Sequence, residues 1–342
     1  MKAILFRAHG GPEVLEYADV PKPEVRHGEV LVRVRACALN HLDIWVRGGL
    51  PGVNFPLPHI PGSDIAGEIA EIGPGVTTVR VGQKVVLAPG VSCGKCAACV
   101  AGLDNRCRDF TNLGYLIDGG CAEFVRVPEV NCLPYPENLS FEEAAATPLV
   151  FQTAWHMLVG RAELAPGEDV LVLGAGSGVG TAAIQIAKFF GARVIATAGS
   201  DEKLAKAKAL GADELINHKT QKIASEVRRI TAKRGVDVVF EHVGTATWDD
   251  SVASLAPCGR LVTCGATTGY DAKVDLRFLF VRQLSLLGSY MGTKTELHTV
   301  MKLVAAGRLK PIVDRVFPLA EAAAAHRYLE SSSQFGKVVL KV

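Results

Sequence analysis

The sequence predicts an α/β protein of two domains: a compact strand-rich unit, then a doubly wound parallel sheet covered by helices on both faces. Three observations carry that reading. Near Thr147 the texture changes from short alternating runs broken by Pro and Gly to Val/Ile/Leu runs alternating with helical segments. A glycine-rich turn, GAGSGVG (Gly174–Gly180), joins a buried apolar run to an Ala-rich helix. Four cysteines, Cys93, Cys96, Cys99 and Cys107, crowd one short segment.

In residues 1–148, Val30–Ala36 (VLVRVRA) and Ile65–Gly73 (IAGEIAEIG) alternate as half-buried strands do, and turn signals stand close by at Pro61-Gly62, Gly73-Pro74-Gly75 and Pro89-Gly90. Such spacing describes a barrel-like unit. Residues 149–290 open with a strand over Asp169–Ala175, a helix over Thr181–Phe190 stopped by Gly191, and a strand over Ala192–Ala198. A helix follows over Asp201–Leu210, then a strand near Leu215-Ile216, a helix over Ile223–Arg229, and strands over Val236–Val243, Arg260–Ala266 and Leu284–Tyr290. In the tail, 291–342, a helix near Glu296–Ala306 precedes a closing strand, KVVLKV. That short strand needs a partner sheet, so the tail is expected to return to the first domain.

The 342 residues suffice for two cores. Basic and acidic residues number 37 and 35, well mixed, which leaves no electrostatic footprint for nucleic acid or a membrane surface. No apolar run approaches the roughly 18–20 residues of a spanning helix. The apolar stretch before Arg7 is too short for a secretory signal, so a cytoplasmic protein is expected. Nine cysteines, an odd number, then point to a reducing compartment where clustered thiols bind metal.

The turn of Gly174, Gly176, Ser177, Gly178, Val179 and Gly180 has the composition of a dinucleotide site. Glycine permits the sharp bend and the close approach of a pyrophosphate, and the helix N-terminus offers free N–H groups and partial positive charge. The end of the second strand, where an NAD site usually carries an acid, is Ala198-Gly199-Ser200. With no carboxylate there, and with Ser200 and Lys203 as donors, NADP(H) is favoured and NAD(H) remains the alternative. Ser200 also reads simply as the N-cap of the next helix, with Asp201 and Glu202 in its first turn.

Cys-x2-Cys-x2-Cys-x7-Cys suits one tetrahedral zinc per subunit, fully liganded by thiolates and therefore structural rather than catalytic. An iron–sulfur cluster could use similar spacing, but the second cysteine cluster of small ferredoxins is missing. Cys37, Cys121, Cys132, Cys258 and Cys264 read as packing residues.

Together with GGPEVLE, IPGSDIAGEI, GQKVV, AAATPLVFQTAWHML and FGKVVL, these features resemble the medium-chain dehydrogenase/reductase superfamily, which includes zinc-type alcohol dehydrogenases and quinone oxidoreductases. The resemblance spans essentially the whole chain. It implies a GroES-like catalytic domain, a Rossmann domain inserted before the C-terminal segment, an active-site cleft between them, and a homodimer or homotetramer that joins sheets through Leu284–Tyr290. His218 matches a place where NADPH-dependent members often carry Tyr near the adenosine.

Departures from the family pattern are informative. The resemblance places catalytic-zinc ligands at Asn40, Ser63 and near Phe151, and a proton-relaying Ser or Thr at Leu42. None of these ligand positions keeps its usual donor. Asn40 with Asp43 is how quinone-reductase-type members read, Asn40 as a donor to the substrate oxygen and Asp43 orienting the loop. Asn40 also reads as a plain loop-capping amide. His41 and His59, with Asp43 or Asp64, offer an unconventional metal site, but each reads more simply as a pocket-wall histidine. Three functions remain: hydride transfer to a small quinone, enone or enoyl substrate; alcohol or aldehyde dehydrogenation; and non-catalytic NADPH binding.

Overall fold

Ten residues, Glu29–Ala38, form the central strand of a seven-stranded sheet in the computed structural model, which describes residues 1–342. Its alternating residues Val30, Val32 and Val34 point into a core shared with Ile65, Ile69 and Val85. Burying each such side chain contributes roughly 1.5–3 kcal/mol. Along the sheet the strands run Val313–Pro318, Lys337–Lys341, Glu29–Ala38, Asp64–Ile72, Lys84–Leu87 and Cys132–Pro134, with Phe124–Pro128 also pairing Glu29–Ala38. The closing strand is thus built into this sheet, antiparallel to the central strand, with Leu340 opposite Cys37. These elements belong to a unit of residues 1–149 and 293–342.

The helix His41–Gly48 leaves the central strand directly. Its buried Arg47 donates to the Gly10 carbonyl at 3.1 Å and to His326 Nδ1 at 3.0 Å, and pairs with Glu330. Burial and that guanidinium push His326 down to about 3, so the ring stays neutral and serves as an acceptor. The last turn of the helix is thereby tied to the helix Ala322–Glu330.

Residues 150–292 form the second unit. Its sheet is six parallel strands in the spatial order Glu214–Asn217, Arg193–Ala198, Asp169–Val172, Val236–Glu241, Leu255–Thr263, Ser285–Gly288. This is the doubly wound order, whose reversal lies beside the first strand of the unit. Ser285–Gly288 is a free edge, and Leu276, Phe280, Val281 and Tyr290 near it are exposed.

Strand ends differ from the sequence reading for local reasons. The first strand of this unit stops at Val172, not Ala175, because Leu173–Ala175 enter the glycine turn. The strand read as Arg260–Ala266 spans Leu255–Thr263, with an irregular register against Val236–Val238. The helices His41–Gly48, Thr245–Ser254, Leu276–Val281 and Ala322–Glu330 are additions to the sequence reading. No helix is long and apolar enough to cross a membrane.

Candidate functional site

Three side-chain constellations carry chemistry. In the second unit, Ser177 caps the helix Gly178–Phe189, its hydroxyl accepting from the Gly180 N–H at 2.9 Å. The N–H groups of Gly178 and Val179 open that helix and have no intrahelical acceptor. Gly174 sits at φ +56°, a left-handed conformation that favours glycine, and its N–H and that of Ala175 are fixed by Thr197, at 3.3 Å to Oγ1 and 2.8 Å to the carbonyl. A Cβ on Gly180 would lie 2.5 Å from the Gly174 carbonyl oxygen. The turn is a cradle that only glycine can close.

His242, to which the sequence assigns no role, lies under this turn. Its Nε2 is 2.9 Å from the Leu173 carbonyl and 3.3 Å from Ser177 Oγ. Burial lowers its pKa, so the ring is neutral and Nε2–H donates to the carbonyl. Thr197 is likewise silent in the sequence; its hydroxyl also faces His218 Nδ1 at 3.4 Å. Past the second strand, Ser200 caps the helix Asp201–Ala209, accepting from the Lys203 N–H. His218 Nε2 and the Lys219 stem border Gly199. Asp201 is engaged by the Asn217 amide at 2.8 Å. Burial, then Lys219 and Lys203, lower the His218 pKa, which marks a locally positive surround.

In the first unit the sulfurs of Cys93, Cys96, Cys99 and Cys107 all lie within 4.8 Å of one another. Cys93 and Cys99 are 3.9 Å apart, and Cys96 and Cys99 are 3.5 Å apart. Zn–S bonds of about 2.3 Å in a tetrahedron require sulfur–sulfur edges of about 3.8 Å, so the donor set fits one zinc. Backbone N–H groups of Lys95 and Cys96 pull the Cys93 thiol down to about 6, the thiolate form a metal needs. Asp104 fastens the lobe through the Lys294 N–H at 2.9 Å. If the lobe holds zinc as its geometry allows, stripping the metal with a chelator is expected to lower the thermal midpoint by several degrees and make residues 92–110 the first site of proteolysis. A midpoint and cleavage pattern unchanged by metal loss would contradict a structural role.

Of the remaining cysteines, Cys37 and Cys121 are fully buried, with sulfurs 3.7 Å apart. Cys258 corrects the packing assignment: it is exposed, at φ +62° in the irregular first half of the strand Leu255–Thr263.

The third constellation is buried at the start of the helix His41–Gly48. Asp43 accepts from the Asn40 N–H at 2.7 Å and the Gly62 N–H at 2.9 Å. Burial first, moderated by those two N–H bonds and by Lys337, raises it to about 6. The Asn40 amide nitrogen donates to Asp64 Oδ2 at 3.0 Å, and its carbonyl accepts from Lys337 Nζ at 2.5 Å. Lys337 also donates to Asp64 at 2.9 Å, and Asp64 Oδ1 accepts from the Leu149 N–H at 2.8 Å. The Ser63 hydroxyl is taken by the Leu113 carbonyl at 2.7 Å; Phe151, which belongs to the second unit, is itself a buried apolar side chain. His59 is packed against Phe6 and Phe55 with Nε2 on the Gly114 carbonyl at 3.1 Å, so it does not join Asp43 and Asp64 as a metal ligand. His41 lies beside Trp45. Lys337 escapes a reading of the sequence because FGKVVL looks like an ordinary strand; only the pairing of that strand brings its first residue to Asn40.

A two-domain α/β frame with a dinucleotide-type turn and a four-cysteine lobe defines a class, zinc-type dehydrogenases and reductases. Known proteins agree. Residues 26–137 match the alcohol dehydrogenase GroES-like domain and residues 178–306 the zinc-binding dehydrogenase family. The chain is 35% identical to an alcohol dehydrogenase of Geobacillus stearothermophilus, covering 100% of both chains, and 31% identical to a quinone oxidoreductase of Rattus norvegicus, covering 99% of this chain and 97% of that one. A solved structure of an NAD-dependent alcohol dehydrogenase superposes with TM-score 0.97 at 51% identity over 100% of both chains. The chain belongs to the medium-chain dehydrogenase/reductase superfamily and is an oxidoreductase.

Proposed function

We propose that the protein uses NADPH to reduce a small quinone, enone or enoyl-type substrate, with its one zinc purely structural. The observation that carries this reading is the chemistry at Asn40, Ser63 and Phe151. The first two side chains are already engaged in buried hydrogen bonds and the third has no lone pair, so they do not fit a second zinc. Alcohol oxidation must shed a proton as hydride leaves, which a Lewis acid makes feasible. A conjugated carbonyl needs only a donor for the oxygen on which charge develops.

When bound, NADPH supplies the hydride. The chain's part is to hold and orient. Free N–H groups at Gly178 and Val179 receive the pyrophosphate. Ser200, Lys203, His218 and Lys219 stand where a 2′-phosphate would sit, and no carboxylate at Ala198 repels it. The Asn40 amide donates to the substrate oxygen, Asp43 holds the loop that carries it, and water returns the proton. A cytoplasmic homodimer or homotetramer paired through the edge Ser285–Gly288 completes the proposal, supported by the exposed apolar residues near that edge.

An NAD-dependent alcohol dehydrogenase is the second reading, favoured by the 51%-identical structure. Metal analysis joined to turnover separates the two. One zinc per chain, with NADPH-dependent reduction of 1,4-benzoquinone or 2-cyclohexen-1-one, supports the first reading. Two metals per chain, with NAD-dependent activity on simple alcohols alone and lost on chelation, overturns it.

A further inference from the structure

Asn40, Asp64 and Lys337 form a closed, buried ring of hydrogen bonds: ammonium to amide carbonyl, amide nitrogen to carboxylate, ammonium to the same carboxylate. Lys337 is 4% exposed and Asp64 not at all. An ammonium can only donate and a carboxylate can only accept, so just one of the two orientations of the Asn40 amide satisfies both neighbours. Its carbonyl must face Lys337 and its NH₂ must face Asp64. The second N–H of that NH₂ meets only the Ala38 carbonyl at 3.4 Å, beyond the usual 2.7–3.2 Å, and so is the weakly engaged donor that can be shared with another oxygen lying in its fixed direction.

We propose that Lys337 is the positioning residue of the site: its tethered charge, paired with Asp64, fixes Asn40 as a donor. The inference rests on the proposed reduction, in which Asn40 meets the substrate oxygen. With both Lys337 and the Asp64 charge removed, as in a Lys337→Met/Asp64→Asn pair, nothing selects the amide's orientation, and it can present its carbonyl to a developing oxyanion, which it repels. With Lys337 alone removed, Asp64 still holds the NH₂ but is an uncompensated buried carboxylate that draws the donor to itself.

The test uses the zinc-loaded, full-length protein with NADPH and 1,4-benzoquinone, comparing Lys337→Met, Lys337→Arg and the double variant Lys337→Met/Asp64→Asn. The double variant leaves no uncompensated charge and is expected to keep the wild-type thermal midpoint. Both methionine variants are expected to lose kcat by roughly 10- to 100-fold with the KM for NADPH unchanged, the size of effect a misdirected donor gives. Lys337→Arg, which keeps charge and donors, is expected to recover most of kcat. A double variant with wild-type midpoint and wild-type kcat overturns the proposal and leaves Lys337 a stability residue. If the wild-type protein reduces none of these substrates, the proposed function fails separately. The side-chain NH₂ resonances of Asn40, assigned by their loss in Asn40→Asp, then decide whether Lys337 positions the amide: unchanged by Lys337→Met, they refute positioning; shifted or broadened, they support it.

Discussion

Replacing Gly180 by valine is expected to abolish dinucleotide binding while leaving the zinc lobe loaded. The first atom added at this position would stand 2.5 Å from the Gly174 carbonyl oxygen, 2.9 Å from Ser177 Oγ and 3.0 Å from Ala175 Cα. Two of these neighbours are backbone, so relief comes only by opening the turn. Opening it withdraws the Ser177 cap from the Gly180 N–H and misaims the N–H groups at the head of the helix. A loss of at least about 100-fold in NADPH affinity corresponds to about 2.8 kcal/mol, the scale of a lost charge-assisted hydrogen bond or two. Titration of nicotinamide fluorescence measures it, with zinc content as the control. Affinity within threefold of wild type would remove the turn from the cofactor site.

Changing Asp43 to asparagine is the second large effect. Each carboxylate oxygen accepts one buried N–H, from Asn40 and from Gly62. An amide supplies one acceptor where two are needed and sets its own NH₂ against the other donor, which costs about 1–3 kcal/mol. The cost depends on pH with a definite sign. Asp43 titrates near 6 in the fold and near 3.8 when unfolded, so the folded state holds its proton more tightly. Its contribution is fully present below the unfolded value and is lost as pH rises through 6. Between pH 5 and pH 7.5 that loss is about 1.4 kcal/mol, and asparagine has no such titration. The gap in unfolding free energy between wild type and variant should therefore be wider at pH 5 than at pH 7.5, read from urea midpoints. A gap that widens instead toward pH 7.5 would mean the carboxylate is stabilised in the fold.

What the sequence disclosed and what it hid have physical causes. The second unit was legible because strands buried on both faces have nothing but apolar residues to show, and because a glycine turn at the strand–helix junction has few other uses. The cysteine lobe was legible because its ligands are local. The first unit was harder. Its seven-stranded sheet joins residues from both ends of the chain, and no periodicity reveals that Lys337 lies against Asn40. The short helix His41–Gly48 was hidden because its eight residues follow a strand after only two residues, although Asn40 and Asp43 stand at its N-cap and third position. His242 is a residue of a type that is usually inert when buried, and only its distance to Leu173 and Ser177 gives it a place under the turn.

The placement of Lys337–Lys341 between Val313–Pro318 and Glu29–Ala38 sets an order on synthesis. Residues 150–292 are contiguous, so this part of the nascent polypeptide has everything required to fold while translation continues. The sheet begun by the first hundred residues, however, waits with an open seam until residues 337–341 have been made. Asn40 and Asp64 therefore gain their cation late, and a product that stops before Lys337 should emerge with an assembled second unit and an unfinished first one, a natural substrate for chaperones and proteases.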